Sequence, residues 1–220
     1  MRAWSQLFDD HAVTVESGAY TDSDYFTYID GRPRYDGVRA FLASRGVSLP
    51  EGLPDDPPDR ETVCGLGNRK NAVFNRTLRE EGVTAYPGSV ALLDAAVAHG
   101  LQIAVVTSSR NGVAVLEAAD LRHRFTVVVD GLVAAERGMA GKPAPDTYAY
   151  AAELLGLPAA ACAVIEDAPS GVESGRAGGF GLVVGVDRGV GAETLLSHGA
   201  DVVVDDLGEF VPLLPAAPTS

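Results

Sequence analysis

The chain has 220 residues, 46% of them hydrophobic and 21% charged, and a formal net charge of −13. That length holds one large or two modest domains with a real core, and the apolar content excludes disorder. The acidity excludes general binding to nucleic acid or anionic membranes, which need basic patches, but not a small phosphorylated substrate whose charge is offset locally.

Residues 90–106 form the most apolar run, but Asp94, His99 and Gln102 interrupt it, so it does not read as a membrane span. Met1-Arg2-Ala3-Trp4 lacks the basic-then-apolar layout of a signal peptide. Two cysteines, Cys64 and Cys162, make neither a disulfide framework nor a metal-site spacing, and a reducing cytoplasm is expected.

Residues 1–85 are polar and carry helical patterns over 1–10, 22–30, 35–45 and 61–80. The third pattern places Val38, Phe41 and Leu42 on one side; the fourth does so with Val63, Leu66, Val73, Phe74 and Leu78. Between them, the proline-rich stretch 50–58 reads as an exposed loop. This half is expected to be a small helical module. The pattern changes at Tyr86-Pro87-Gly88. From residue 86 to 211, short Val/Ile-rich runs over 102–107, 125–130, 162–167, 182–187 and 202–205 read as buried strands. Helical stretches over 89–99, 111–119, 145–155, 170–177 and 192–198 alternate with them, which predicts a doubly wound α/β domain around a parallel sheet. His99-Gly100 and His198-Gly199 read as helix ends. Residues 212–220 read as a flexible tail.

In such a sheet, ligands gather at the carboxyl ends of the strands. Three of these ends carry chemistry here. Thr107-Ser108-Ser109-Arg110-Asn111 is a hydroxyl cluster opening a helix, suited either to a phosphate oxygen or simply to capping. Lys142 lies between Gly141 and Pro143-Ala144-Pro145, a stiff setting that could aim its ammonium. Glu166 and Asp167 leave a strand side by side and need a cation: Lys142, a metal, or both. Oxygen ligands in small number favour Mg²⁺ with retained waters and substrate phosphate. Asp167 ahead of Ala168-Pro169 could equally cap a helix.

In order and spacing, Thr107-Ser108-Ser109, Lys142-Pro143-Ala144-Pro145-Asp146 and Glu166-Asp167-Ala168-Pro169-Ser170-Gly171 resemble the later motifs of the haloacid-dehalogenase-like hydrolases. The branch they resemble contains β-phosphoglucomutase and related sugar-phosphate phosphatases. Tyr86-Pro87-Gly88 is similar to that family's return from cap to core. Arg32-Pro33-Arg34-Tyr35-Asp36-Gly37 and Arg69-Lys70-Asn71 resemble parts of its helical cap. The resemblance implies a Rossmann-like core with a helical cap and a reaction through a phospho-aspartate. Thr107 and the N–H groups of Ser108, Ser109, Arg110 and Asn111 would hold phosphate, Lys142 would neutralise charge, and Asp167 beside Glu166 would hold Mg²⁺. Arg34 and Lys70 would reach a substrate phosphate when the cap closes. The partner implied is a small phosphorylated molecule, a sugar phosphate in this branch.

The family's nucleophile and acid/base sit on a D-x-D motif at the end of a first, central strand, and no such segment is found in this sequence. The opening residues resemble the helix that follows that motif, so roughly 15–25 residues are expected to be missing, on typical element lengths. Thr21-Asp22-Ser23-Asp24 has the spacing without a strand before it and reads as a helix cap, while Asp9-Asp10, Asp55-Asp56 and Asp205-Asp206 lack spacing or position. The central strand would lie between strands 102–107 and 162–167, leaving a gap of about 9–10 Å between them. The leading reading is a Mg²⁺-dependent sugar-phosphate phosphatase or phosphomutase lacking its nucleophile. The alternative is a non-catalytic relative that binds a phosphorylated ligand or a protein partner. A dehalogenase is disfavoured, because that chemistry has no use for Glu166-Asp167 as a Mg²⁺ site.

Overall fold

A computed structural model describes residues 2–9 and 18–214. The chain divides into two compact units, Met1–Gly82 and Val83–Ser220.

The first unit is helical. Helix α1 (Arg2–Asp9) buries Trp4, Leu7 and Phe8, the i, i+3, i+4 face of one helix. A one-turn helix α2 (Asp22–Asp24) runs into a π-helical turn over Tyr25–Ile29, where a regular helix over 22–30 is expected from the sequence. Helices α3 (Arg34–Ser44) and α4 (Val63–Glu81) complete the unit. Val38, Phe41 and Leu42 of α3 meet Val63 and Leu66 of α4 in one core with the α1 face, and the Phe8 and Phe41 rings lie 4.1 Å apart. The loop before α4 is less exposed than its prolines suggest. Asp56 is buried and accepts hydrogen bonds from Leu53 N (3.1 Å) and Thr62 Oγ1 (2.7 Å), which fasten the loop to the start of α4.

The second unit alternates helix and strand: α5 (Pro87–Ala98), β1 (Ala104–Val106), α6 (Gly112–Ala118), β2 (Val127–Val129), α7 (Gly131–Glu136), α8 (Asp146–Leu155), β3 (Ala163–Glu166), α9 (Pro169–Ala177), β4 (Leu182–Val186), α10 (Ala192–Ser197) and β5 (Val202–Val204). All strand pairs are parallel, as the alternation requires. Among the described residues the strands form two sheets, β1–β2 and β3–β4–β5, instead of one. Between β1 and β3 lies an apolar cavity of about 480 Å³.

The strands hold three to five residues, fewer than the apolar runs. Their polar ends leave the ladder to cap and bind loops. Asp130, expected to end a strand, is instead the N-cap of α7, a helix not expected from the sequence; its Oδ1 accepts from Leu132 N at 2.9 Å and Val133 N at 3.1 Å. Pro212 and Leu213, expected in the tail, belong to a 3₁₀ turn over Leu207–Leu213; residues 215–220 lie outside the described residues. His99 and His198 do end helices, followed by Gly100 and Gly199 with positive φ. No helix among the described residues is long and apolar enough to cross a membrane.

Candidate functional site

Lys142 and Glu166 meet in the second unit as a buried ion pair, with side chains 5% and 9% exposed. The Lys142 Nζ donates to Glu166 Oε1 and also lies 3.1 Å from the Tyr148 hydroxyl, which itself donates to the same Oε1 at 2.7 Å. The other oxygen, Oε2, accepts from Asp167 N at 3.1 Å and Ala168 N at 3.2 Å. Every face of the Glu166 carboxylate is thus engaged. Burial raises its pKa, but the Lys142 charge and the hydrogen bonds outweigh this and hold the carboxyl below its usual range. Burial, followed by the Glu166 charge, pushes the Tyr148 hydroxyl well above its ordinary value, so it remains a donor.

Several elements hold this group in place. Glu166 ends β3 and its carboxylate rests on the first turn of α9. A Cβ on Gly171 would lie 2.1 Å from the Glu166 carboxyl carbon, so only glycine permits the approach. The loop carrying Lys142 is tied to α9 through Ser174 Oγ, which donates to Ala144 O at 2.7 Å, and to α8 through Asp146, whose Oδ2 accepts from Ala140 N at 3.0 Å. The stiff setting read from Pro143 and Pro145 is therefore supported from outside the loop. Lys142 is buried, not a solvated surface charge.

The segment after β1 is bound by its own hydroxyls. Thr107 N continues the ladder to Val129 O at 2.9 Å, Thr107 Oγ1 accepts from Ser109 N at 3.1 Å, and Ser109 Oγ accepts from Asn111 N at 3.1 Å. Gly131 N donates to Ser109 O at 2.9 Å, docking the segment on the start of α7. The helix that follows begins at Gly112, so Asn111 is its cap residue. A Cβ on Gly131 would come within 2.6 Å of Ser108 O and 3.0 Å of Arg110 Cγ, which places Ser108 and Arg110 directly over that turn. The Thr107 and Ser109 hydroxyls thus tie up N–H groups of their own loop, and the segment stands at a strand's carboxyl end, as do Glu166 and Asp167.

Asp167 is exposed beside the buried pair. Among the described residues no three His, Cys, Asp or Glu side chains gather as a metal cage. With Glu166 engaged by Lys142, Asp167 is the carboxylate at this strand end that would hold a Mg²⁺, and so few protein oxygens would leave its other ligands to water and phosphate. Of the cations expected for Glu166, the structure shows Lys142.

In the first unit, Arg34 and Lys70 come together. The Arg34 guanidinium reaches Asn71 Oδ1 at 2.8 Å and Asn68 Oδ1 at 3.4 Å. The Lys70 ammonium lies 5.0 Å from the Trp4 ring centroid and 4.7 Å from that of Phe74. Burial, reinforced by the Arg34 charge, lowers Lys70 to about 8.

The other acidic pairs do structural work. Thr21 and Asp24 form a reciprocal capping box, with Asp24 N donating to Thr21 Oγ1 (3.2 Å) and Thr21 N donating to Asp24 Oδ2 (2.9 Å), and Asp24 also pairs with Arg45 at 2.8 Å. Asp206 caps the last 3₁₀ turn through Gly208 N at 2.7 Å. Asp10 lies outside the described residues. Sequence reasoning missed Tyr148. The available signal was the apolar row Tyr148, Ala151, Ala152 and Leu155 on α8, where one hydroxyl in a buried stripe demands a partner.

Parallel strands whose carboxyl ends gather a hydroxyl segment, a buried lysine–glutamate pair and an aspartate define a doubly wound α/β protein with its polar machinery on one rim. Comparison with known proteins narrows the class. Residues 7–179 match the family model described as haloacid dehalogenase-like hydrolase. The "Beta-phosphoglucomutase" of Mycobacterium tuberculosis is 47% identical over 220 residues, covering 96% of this chain and 84% of that protein. "Hexitol phosphatase A" of Escherichia coli is 44% identical over 184 residues, covering 83% of this chain and 73% of its own length. The crystal structure of β-phosphoglucomutase from Clostridium difficile shares the fold with a TM-score of 0.74 at 21% identity, over 94% of this chain and 83% of that one. The chain belongs to the haloacid dehalogenase-like hydrolases, in their phosphoglucomutase and sugar-phosphate phosphatase branch.

Proposed function

We propose that this protein takes part in Mg²⁺-dependent phosphoryl transfer on a sugar phosphate, as a phosphatase or phosphomutase. The observation that carries the reading is the buried Lys142–Glu166 pair beside exposed Asp167 at the carboxyl end of β3. Phosphoryl transfer asks a protein mainly for positioning and for charge to meet the phosphate oxygens. Lys142, oriented by Glu166 and Tyr148, supplies one fixed cation. Asp167 would hold Mg²⁺, which when bound neutralises phosphate charge. Thr107 and the N–H groups over 108–111 would receive a phosphate oxygen, and Arg34 with Lys70 form a second cationic pair suited to an anionic group. The relatives named for β-phosphoglucomutase and hexitol phosphatase support a sugar phosphate as substrate class.

The phospho-aspartate nucleophile is assigned to a D-x-D segment outside residues 1–220, because the one pair with that spacing, Asp22 and Asp24, is spent on a helix cap. Residues 1–220 alone are therefore expected to bind phosphate and Mg²⁺ without turnover, which also suits the alternative of a binding relative. Phosphate release from a β-hexose 1-phosphate and a hexitol phosphate tests this, alongside Mg²⁺ titration of the wild type and of Asp167→Asn. Mg²⁺-dependent turnover by residues 1–220 would remove the nucleophile assignment. Unchanged Mg²⁺ affinity in Asp167→Asn would remove the metal assignment.

A further inference from the structure

Of the 17 lysines and arginines in the chain, only two are lysines, Lys70 and Lys142. Lys142 is engaged by Glu166. The half-buried Lys70 ammonium, on α4, makes no hydrogen bond or ion pair with any described residue. It faces two rings instead, Trp4 of α1 at 5.0 Å and Phe74, one turn further along α4, at 4.7 Å from their centroids. The charge acting on it is that of Arg34 at the start of α3, whose guanidinium is held by Asn71 Oδ1 at 2.8 Å, the residue next to Lys70. All five side chains belong to the first unit. An arginine in place of Lys70 would meet an anion at least as well, since its planar fork never loses its charge. What a lysine alone offers here is an amine that can lose its proton and present a lone pair, and burial next to a second cation favours that loss.

A nucleophilic nitrogen beside a fixed guanidinium suits a molecule with a carbonyl carbon at one end and an anion at the other. We propose that Lys70 is a reversible covalent capture site for small phosphorylated aldehydes, its Nζ forming an imine with the carbonyl carbon while Arg34 holds the phosphate. The neutral Nζ adds to the carbonyl carbon, and the oxygen takes up the proton that the nitrogen sheds. That hydroxyl then leaves as water with one further proton from the nitrogen, and the resulting C=N is protonated to an iminium. Nothing is oxidised or reduced, and hydrolysis returns amine and aldehyde. The Trp4 and Phe74 faces that accept the ammonium accept the iminium equally, because both are cations. Capture fills the Arg34–Lys70 pair, so it excludes any other anion from that pair. The part given to Arg34 rests on the reading of that pair as an anion site; the amine chemistry of Lys70 does not.

The probe is pyridoxal phosphate, with pyridoxal as its unphosphorylated control. Borohydride then adds hydride to the imine carbon and fixes it as a secondary amine, and peptide mass spectrometry of the 220-residue protein locates the label. The expected product carries one pyridoxyl group on Lys70 and none on Lys142, which serves as the internal control in its ion pair. At about pH 7.5 Lys70 should react on the order of a hundredfold faster than a lysine in a short peptide, following its larger neutral fraction, and the rate should climb through about pH 8. Pyridoxal should react about tenfold more slowly than its phosphate, the worth of one charge-assisted hydrogen bond. Inorganic phosphate should slow the labelling by pyridoxal phosphate in a saturable way. Arg34→Gln should remove the difference between the two aldehydes; if that variant fails to fold, the phosphate competition on the wild type reads the same interaction. Lys70→Arg should lose the label and keep its affinity for inorganic phosphate, measured by calorimetry. Equal labelling of Lys70 and Lys142, or reaction at the peptide rate, would overturn the capture site. Phosphate binding by a wild type whose Lys70 takes no label would overturn it too, while leaving the anion site standing. Equal rates with both aldehydes and no shielding by phosphate would remove Arg34, and with it the phosphorylated class.

Discussion

Each unit draws a lysine out of open water, Lys142 fully buried and Lys70 half-buried, and they do it in opposite ways. Lys142 of the second unit is surrounded by a carboxylate and a phenol hydroxyl, so its charge is matched and hydrogen-bonded. Lys70 of the first unit is flanked by two aromatic rings with the positive Arg34 near it, so its charge is tolerated by ring quadrupoles and opposed by a neighbour. The difference teaches which charge is structural. Removing a partner from Lys142 leaves an uncompensated buried ion, whereas removing the charge of Lys70 relieves a strain. The units also differ in what they pack. The first closes an aromatic core around Phe8 and Phe41; the second packs aliphatic side chains, among them the cluster of Val172, Val183, Leu195 and Ala200.

The largest expected effect comes from Glu166→Ala, which strands Lys142 and should cost about 3–5 kcal/mol of stability, read by urea denaturation at neutral pH. Replacing both partners, Lys142→Met with Glu166→Gln, should recover much of that loss; an equal or greater loss would show that the pair is not the unit of stability. Because the folded pKa of Glu166 is lowered, its contribution is present above the unfolded value of 4.5 and is lost as pH falls through the folded value.

Tyr148→Phe is expected to cost less, about 1–3 kcal/mol, since Lys142 and Glu166 each lose one hydrogen bond but keep each other. A larger loss than that of Glu166→Ala would make the hydroxyl, and not the ion pair, the centre of the group. In the first unit, Phe74→Leu removes one of the two rings over Lys70 and should cost about 0.5–1 kcal/mol.

The last effect is a slope. With Lys70 at about 8 folded against 10.5 unfolded, its burial penalty is complete below pH 8. The unfolded chain holds more protons between pH 8 and 10.5, so stability should rise with pH across that window. Comparison of the pH dependence of unfolding in wild type and Lys70→Met checks this. A slope that survives the substitution would assign it to another group.

The sequence by itself determined what periodicity and chain order can carry. Apolar runs of strand length alternating with helical stretches specified parallel α/β topology, because each helix must return the chain to the same end of the sheet. The 38, 41, 42 spacing specified the buried face of α3. Motif order brought the strand-end residues Thr107, Lys142, Glu166 and Asp167 forward as one set. Only the tertiary structure decided their partners. Whether Glu166 faces a metal or Lys142 depends on where the loop over 140–146 docks, and that is set by Ser174 and Gly171 far along the chain. Whether Asp130 ends a strand or begins a helix depends on which N–H groups come within reach of its carboxylate. Tyr148 was hidden for the same reason: a hydroxyl on an apolar helix face says that a partner exists, and only the fold says which. The slot between β1 and β3 lies where a gap between strands 102–107 and 162–167 was expected from the family resemblance, and only the fold shows which side chains wall it.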